Sequence, residues 1–177
     1  MYNTSKMWGE IMPVLNKNDL VKYLIKKSNN DLSPIKLQKA LYFLFAIYGG
    51  MKRFLKNNTK EGEDFSIDSL SDDYLFAADF QAWAYGPVDK EVYTAFKNGD
   101  IADDLNILEF ETKLDSFTKG FLDDFIPKIF NTGDFSLVDL THDDECWKKN
   151  FNRMDMYHDN EISSEDIIIE YTNRQYV

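Results

Sequence analysis

The fold of this 177-residue chain is decided by one stretch, residues 33–48, which reads SPIKLQKALYFLFAIY. Ser33 followed by Pro34 is a typical helix start, because the serine side chain can cap the helix and a proline at the first helical position has no hydrogen-bond donor to lose. Apolar residues then recur at helical spacing and cover more than one face. We therefore predict a central buried helix over about 34–48, ending at the glycine pair 49–50.

On either side of this helix the sequence is more polar. Upstream, Asn18 is a suitable N-cap, and apolar residues at helical spacing predict a first helix over about 19–27. Residues 1–17 either pack as an extra element or form an arm that orders on binding. Downstream, residues 56–73 are rich in Asn, Ser and charged side chains, which predicts a long exposed loop.

The middle of the chain alternates short elements with turn signals. Residues 76–85 are short and aromatic, which predicts an extended segment and at most a short strand pair. A helix is predicted to start at Pro87 and to stop near Gly99. Apolar residues spaced by three or four predict a further helix over about 112–130, which Pro127 should kink or end.

The last quarter of the chain carries three capping signatures. Ser136, Thr141 and Ser163 are each followed three residues later by an acid, which predicts three short helices. No interior linker separates two cores. The sequence thus predicts a mainly α protein, a single compact helical domain over 1–177 with a central buried helix and at most a short strand pair near 76–85.

Composition excludes several classes of protein. Hydrophobic residues make up 44% and aromatic residues 15% of the chain, which is typical of a folded protein. The single cysteine, Cys146, rules out an internal disulfide framework and a cysteine-rich zinc site, and fits a reducing compartment. No apolar run is long enough to span a membrane, and the N-terminus has no signal-peptide pattern. We expect a cytoplasmic protein without a membrane partner.

Charge is divided unevenly along the chain. The formal net charge is −11, yet residues 1–60 carry 11 of the 20 Lys and Arg side chains and only three acids. Two interpretations are open: the basic N-terminal helices lie against the acidic remainder and pair with it, or the acidic remainder is a surface for a basic partner protein. General nucleic-acid binding is disfavoured, because an acidic surface repels phosphates.

Candidate catalytic chemistry is sparse. His142, Glu145 and Cys146 with the downstream His158 contain metal-ligand types, but consecutive helical residues point in different directions and at most two of them converge. The sequence has no nucleophile elbow and no phosphate-binding loop. We therefore predict no enzyme activity, no metal and no cofactor, with a metal-dependent hydrolase using His142, Glu145 and His158 as a minor alternative.

The most unusual local string is WAYGPV, residues 83–88. Bulky aromatic residues directly before a Gly-Pro corner either fasten a strand to a helix in the core or present a rigid aromatic patch to a partner. Both interpretations stay open for Trp83 and Tyr85.

Three blocks of the sequence together resemble the Panacea antitoxin domain, the family of the SocA-like antitoxins and the phage-associated GepA-like proteins. The blocks are SPIKLQKALYF at 33–43, AWAYGPV at 82–88 with the following Val92 and Tyr93, and DLTHDD at 139–144 with Trp147 and Lys148. They occur in the family's order and span about 18–171. One departure is Cys146, where the family usually has a proline before the tryptophan.

The resemblance implies a mostly helical, non-catalytic domain that neutralises a toxin by binding it. The partner would be a protein toxin or another basic protein. The expected family-motif and partner-binding residues are Lys36, Gln38, Lys39, Trp83, Tyr85, Gly86, Pro87, Tyr93, Thr141, His142 and Trp147. A second hypothesis is a phage-encoded acidic inhibitor of a host defence nuclease, whose surface imitates nucleic-acid phosphates. A role in transcription is weaker, because no helix-turn-helix signature is present.

Overall fold

A computed structural model describes residues 13–58, 74–156 and 160–174. Within those ranges the protein is mainly helical, as predicted, with eight helices and one small sheet. In chain order the elements are α1 (Lys17–Lys27), α2 (Pro34–Asn58), β1 (Phe80–Trp83), β2 (Gly86–Asp89), α3 (Lys90–Asn98), α4 (Ile107–Thr112), α5 (Ser116–Asn131), α6 (Asp134–His142), α7 (Glu145–Asn150), β3 (Glu161–Ile162) and α8 (Ser164–Thr172). In these ranges no helix has the length and apolar character needed to cross a membrane.

The central helix α2 begins at Pro34, as predicted, but its predicted end is wrong. It continues through the two buried glycines at 49–50 to Asn58, which includes the first residues of the predicted loop 56–73. The Lys52 ammonium lies 4.8 Å from the centre of the Phe117 ring on α5, and Arg53 pairs with Glu165 on α8 at 2.6 Å. This packing outweighs the helix cost of about 1 kcal/mol for each glycine. Residues 59–73 lie outside the described residues.

The start of α1 also differs from the prediction. Asn16 is the N-cap rather than Asn18, and its side-chain oxygen accepts hydrogen bonds from the N–H groups of Asn18 at 2.9 Å and Asp19 at 3.2 Å. An asparagine can cap from either position, and the earlier one starts the helix two residues sooner, at Lys17.

Just before α1 the chain runs beside another segment of the core. The Val14 N–H donates to the Tyr74 carbonyl at 3.1 Å, and Val14 packs against the hydrophobic core. The extra element or arm predicted for 1–17 otherwise falls on residues 1–12, which lie outside the described residues.

The sheet has the strand order β2-β1-β3 and is antiparallel throughout. β1 lies within the predicted extended segment 76–85, and it forms a hairpin with β2 in which Trp83 faces Gly86. The third strand, β3, was not anticipated, because its two residues carry no sequence signal of their own. They pair with Phe80 and Gln81 of β1.

The prediction that a helix starts at Pro87 is wrong. Pro87 lies in β2, which is an edge strand, so its missing backbone donor interrupts no ladder. The helix α3 begins at Lys90, because the Asp89 carboxylate caps it by accepting from the Val92 N–H at 3.1 Å. Its predicted stop at Gly99 is confirmed.

The helix predicted over 112–130 corresponds to α5, but its predicted start is wrong, because α5 begins at Ser116 and the unpredicted helix α4 ends at Thr112. Asp115 sets this start, because its carboxylate accepts from the Thr118 N–H at 2.9 Å and caps α5. Pro127 does not end α5, which continues to Asn131. The carbonyl freed by the proline belongs to the exposed Asp123 and can bond to water.

Three short helices close the described chain, as predicted, but only one of the three predicted caps is correct. Ser163 caps α8, with its hydroxyl 3.5 Å from the Asp166 N–H. Gly133 rather than Ser136 precedes α6, and Thr141 is a buried residue of α6 whose hydroxyl donates to the Val138 carbonyl at 2.8 Å.

The basic N-terminal part of the chain pairs with the acidic part, in agreement with the first interpretation of the charge division. Lys22 pairs with Asp104 at 2.5 Å, and Lys27 pairs with Glu111 at 3.1 Å. Further pairs of the same kind are Lys17 with Asp89 and Glu91, Lys26 with Asp103, Lys36 with Asp134, and Arg53 with Glu165.

Candidate functional site

The three sequence blocks converge where the β1–β2 hairpin lies between α2 and α6. A cavity of about 430 Å³ opens there, which we call the hairpin cavity. It is lined by Ser33, Pro34, Ile35, Gln38, Lys39, Trp83, Tyr85, Val88 and Tyr93. Five of the eleven predicted site residues therefore line one cavity, although they come from separate stretches of the chain.

Gly86, at the turn of the hairpin, makes the closest approach in this region. Its φ is +87°, a left-handed conformation that favours glycine. A Cβ atom placed on it would lie 2.2 Å from the Thr141 Oγ1 and 2.9 Å from the Lys39 Nζ. The glycine is needed for both the turn and the contact, which connects the second sequence block to the first and the third.

Lys39 is buried beneath this hairpin with 1% of its surface exposed. Its ammonium donates to the Pro87 carbonyl at 2.9 Å. Burial lowers the pKa of Lys39 to about 7, against the opposing attraction of Asp144. Among the described residues no carboxylate lies within ion-pair distance of this ammonium. Lys39 is therefore a buried amine that has no counter-ion when it is protonated.

Gln38 fastens the end of the hairpin to α2. Its side-chain oxygen accepts from the Asp89 N–H at 2.8 Å, and its amide nitrogen donates to the Asp89 carbonyl at 3.3 Å. The Asp89 carboxylate pairs with Lys17 at 2.9 Å. The predicted site residue Gln38 thus has a positioning role, since its amide holds a backbone unit.

Trp147 and His142 support the hairpin from α7 and α6. The Trp147 indole N–H donates to the Trp83 carbonyl at 3.0 Å, and the His142 Nε2 lies 3.1 Å from the Ala84 carbonyl oxygen. The His142 and Trp147 rings stack with centroids 4.2 Å apart. His142 is thereby engaged with backbone and ring.

The metal hypothesis gains no support from this arrangement. His158 lies outside the described residues, and the described residues contain no group of three His, Cys, Asp or Glu side chains that could hold a metal ion. The Cys146 thiol is buried, which raises its pKa to about 12 and keeps it protonated.

The two aromatic residues of the WAYGPV string have different surroundings. Trp83 is half-buried and packs edge-on against Tyr93 at 5.4 Å between ring centroids. Tyr85 is 52% exposed and lies 6.4 Å from the ring of Phe135, which is 65% exposed. We call Tyr85 and Phe135 the aromatic pair. Trp83 is thus closer to a core residue that fastens the strand to a helix. Tyr85 is closer to a surface residue that a partner protein could contact.

Lys36 is the one predicted site residue that has a separate role. Its ammonium donates to carbonyl groups at the C-terminal end of α5, those of Thr132, Phe130 at 3.4 Å and Ile129 at 3.5 Å. It also pairs with Asp134 at 3.2 Å. A cation at a helix C-terminus stabilises the helix dipole, so Lys36 joins α2 to α5.

A buried cluster behind the hairpin was missed by the sequence analysis. Asp144 accepts hydrogen bonds from the hydroxyls of Tyr42 at 2.6 Å and Tyr171 at 2.9 Å, and from Arg174 at 2.6 Å. Burial raises the pKa of Asp144 above its usual value even with these donors present. Asp144 belongs to the DLTHDD block, but its partners come from distant positions and no spacing rule connects them.

Comparison with known proteins adds no relative: no family model matches the chain, and neither the curated proteins nor the solved structures contain a match. The resemblance to the Panacea domain stays a prediction.

Proposed function

We propose that this protein is a non-catalytic, antitoxin-like protein of the cytoplasm that neutralises a partner toxin by binding it directly. The observation that supports the proposal best is the aromatic pair: Tyr85 stands exposed on the hairpin that the three sequence blocks hold, and Phe135 stands exposed beside it on α6. Exposed aromatic residues on a rigid support are the typical anchors of protein interfaces.

The polar motif residues contact the protein's own backbone, which favours a binding function over a catalytic one. Gln38, His142 and Trp147 each contact backbone atoms of the hairpin. Side chains engaged in this way hold a loop in one conformation, which lowers the entropy that binding would otherwise cost. We infer that the blocks exist to present the Tyr85 ring.

Charge beside the aromatic pair favours a basic partner. Asp139 lies one helical turn after Phe135 on α6, and Asp143 follows the helix; both are exposed. Neither forms an ion pair with a described residue, whereas Glu91 on α3, Glu111 on α4 and Asp104 between these helices are paired with N-terminal lysines. The acidic contact of the proposed interface is therefore Asp139 and Asp143, which would speed association with a basic toxin.

The proposal is tested by affinity capture of the full chain from its native host, in parallel with two variants. The first, Tyr85→Ala with Phe135→Ala, removes the aromatic pair; the second, Leu108→Ala, removes an equally exposed apolar side chain on α4 (72% exposed). A true partner is retained by the wild type and by Leu108→Ala and is lost from the first variant. A partner retained equally by all three would contradict the proposed interface.

The recovered partner is then expressed on its own. The antitoxin proposal requires that it stops growth alone and that the wild-type chain restores growth. A recovered nuclease or defence complex that is harmless alone, and from which this chain is displaced by DNA or RNA, would overturn the proposal in favour of the phosphate-imitating inhibitor.

A further inference from the structure

The hairpin cavity has an unusual combination of walls and charge. Ile35, Val88 and the rings of Trp83 and Tyr93 make it apolar, and none of its nine lining residues is acidic. Lys39 is the only ionisable cation among them. Its volume of about 430 Å³ lies within the range of pockets that take small organic molecules.

Most of the other polar groups that line the cavity have partners. Gln38 is paired with the Asp89 backbone, and Ser33 accepts from the Lys36 N–H at 2.9 Å and donates to the Asp134 carboxylate. The Lys39 ammonium has three hydrogens and one acceptor, the Pro87 carbonyl, among the described residues. A ligand acceptor at this position would gain a charge-assisted hydrogen bond and supply the missing counter-ion.

The first turn of α2 adds to this preference for an anion. Ile35 lines the cavity, and its backbone N–H has no acceptor among the described residues. Ile35 and Lys39 are one turn apart and share a face of the helix. The positive N-terminal end of the α2 dipole and the buried Lys39 ammonium therefore both attract an anion into the cavity.

We propose that the hairpin cavity binds a small organic acid, with its carboxylate at Lys39 and the first turn of α2 and its apolar body between Trp83, Val88 and Tyr93. This site does not depend on the antitoxin proposal. Because Tyr85 belongs both to the cavity and to the aromatic pair, an occupied cavity would also fix the ring presented to a partner protein.

The test is a titration of the full chain at about pH 6, where Lys39 is protonated, with 3-phenylpropionate and with the neutral 3-phenylpropionamide. Binding is followed by calorimetry and by the indole N–H resonance of Trp83 in nitrogen-edited NMR spectra. Trp83→Phe assigns that resonance. We expect saturable binding of the acid that shifts the Trp83 signal, and binding of the amide that is weaker by roughly tenfold or more. Equal binding of the two compounds, or no binding of the acid, would overturn the proposal.

Three variants locate the site. Lys39→Met removes the charge and should weaken acid binding by roughly tenfold or more, and Val88→Phe should abolish it by filling the cavity. Lys113→Met, at an exposed lysine directly after α4 that does not line the cavity, should leave binding unchanged. Far-ultraviolet circular dichroism confirms that each variant is folded. Undiminished acid binding by a folded Lys39→Met or Val88→Phe protein would also overturn the proposal.

Discussion

Replacing Lys39 by Met should make the stability of the protein much less dependent on pH. The substitution keeps an unbranched side chain of similar length and removes the charge. Burial lowers the pKa of Lys39 from 10.5 to about 7, and each pKa unit corresponds to about 1.4 kcal/mol, so the protonated side chain costs the folded state up to about 5 kcal/mol.

The direction of the effect follows from proton binding. Below about pH 7 Lys39 is protonated in both the folded and the unfolded state, so the folded wild type bears the full free-energy cost of the buried charge. Between about pH 7 and the unfolded-state value of 10.5, the unfolded chain binds the proton and the folded chain does not, so the free energy of unfolding of the wild type rises with pH. The Met variant has no such rise, and its lost hydrogen bond to the Pro87 carbonyl costs about 1 kcal/mol at every pH.

The assay is urea unfolding of both proteins, followed by far-ultraviolet circular dichroism, from about pH 6 to about pH 9.5. The free energy of unfolding of the wild type, relative to that of the Met variant, should rise by up to about 1.4 kcal/mol for each pH unit above about 7, so the advantage of the variant at low pH narrows as pH rises. Asp144 is present in both proteins, so its own titration largely cancels in the difference. Lys113→Met, at an exposed lysine, is the matched control and should follow the wild-type curve. Parallel curves for wild type and Lys39→Met would refute the reasoning.

Three further predictions concern the supporting structure. Gly86→Ala should lower the free energy of unfolding by about 2–4 kcal/mol, because φ is +87° and the added Cβ would lie 2.2 Å from the Thr141 Oγ1. Gly99→Ala is the control and should cost about 1 kcal/mol, because φ is +75° but the space around it is open. Equal losses in urea unfolding would contradict the steric argument. Asp144→Asn should cost about 3 kcal/mol in the same assay, because Tyr42, Tyr171 and Arg174 lose a charged acceptor. The control Asp143→Asn, at an exposed neighbour, should change the free energy of unfolding by less than about 0.5 kcal/mol. Similar values for the two variants would be inconsistent with a buried carboxylate at Asp144. Cys146 is buried with a pKa of about 12, so at about pH 8 it should react with a disulfide reagent far more slowly in the folded protein than in urea. Fast labelling of the folded protein would contradict this prediction, because it would show that the thiol is accessible.

The sequence predicts an element well where its signal is local. The start of α2 at Pro34 and the cap at Ser163 depend on a few adjacent residues, and both predictions are confirmed. Asp115 is also a local signal, an N-cap that the apolar spacing by itself does not reveal. The apolar spacing continues past it, but its carboxylate takes the Thr118 N–H and separates α4 from α5.

Two of the wrong predictions, the end of α2 and the helix start at Pro87, have a different cause, which is packing between distant residues. Local rules end a helix at the glycine pair 49–50, but contacts of Lys52 and Arg53 with α5 and α8 extend α2 to Asn58. Pro87 has a good helix-start context, and its place in β2 depends on pairing with β1. Propensity is a weak guide where tertiary contacts decide.

The candidate site likewise has features that local sequence predicts and features that only contacts between distant residues create. The unusual WAYGPV string and the family resemblance name most of the residues that surround the hairpin. The sequence alone does not predict that Gly86 approaches Thr141 and Lys39, because these contacts join three segments that are far apart in the chain. The exposed Phe135 beside Tyr85 was missed for the same reason.

The most direct test of the central claim is growth of cells that express the captured partner together with this chain. We expect growth arrest with the partner alone and full growth with the wild type or Leu108→Ala. Arrest should return when Tyr85 and Phe135 are both replaced by Ala in a chain that is equally abundant and folded. Full growth with the double variant would contradict the role of the aromatic pair, and arrest in the presence of the wild-type chain would contradict neutralisation by binding.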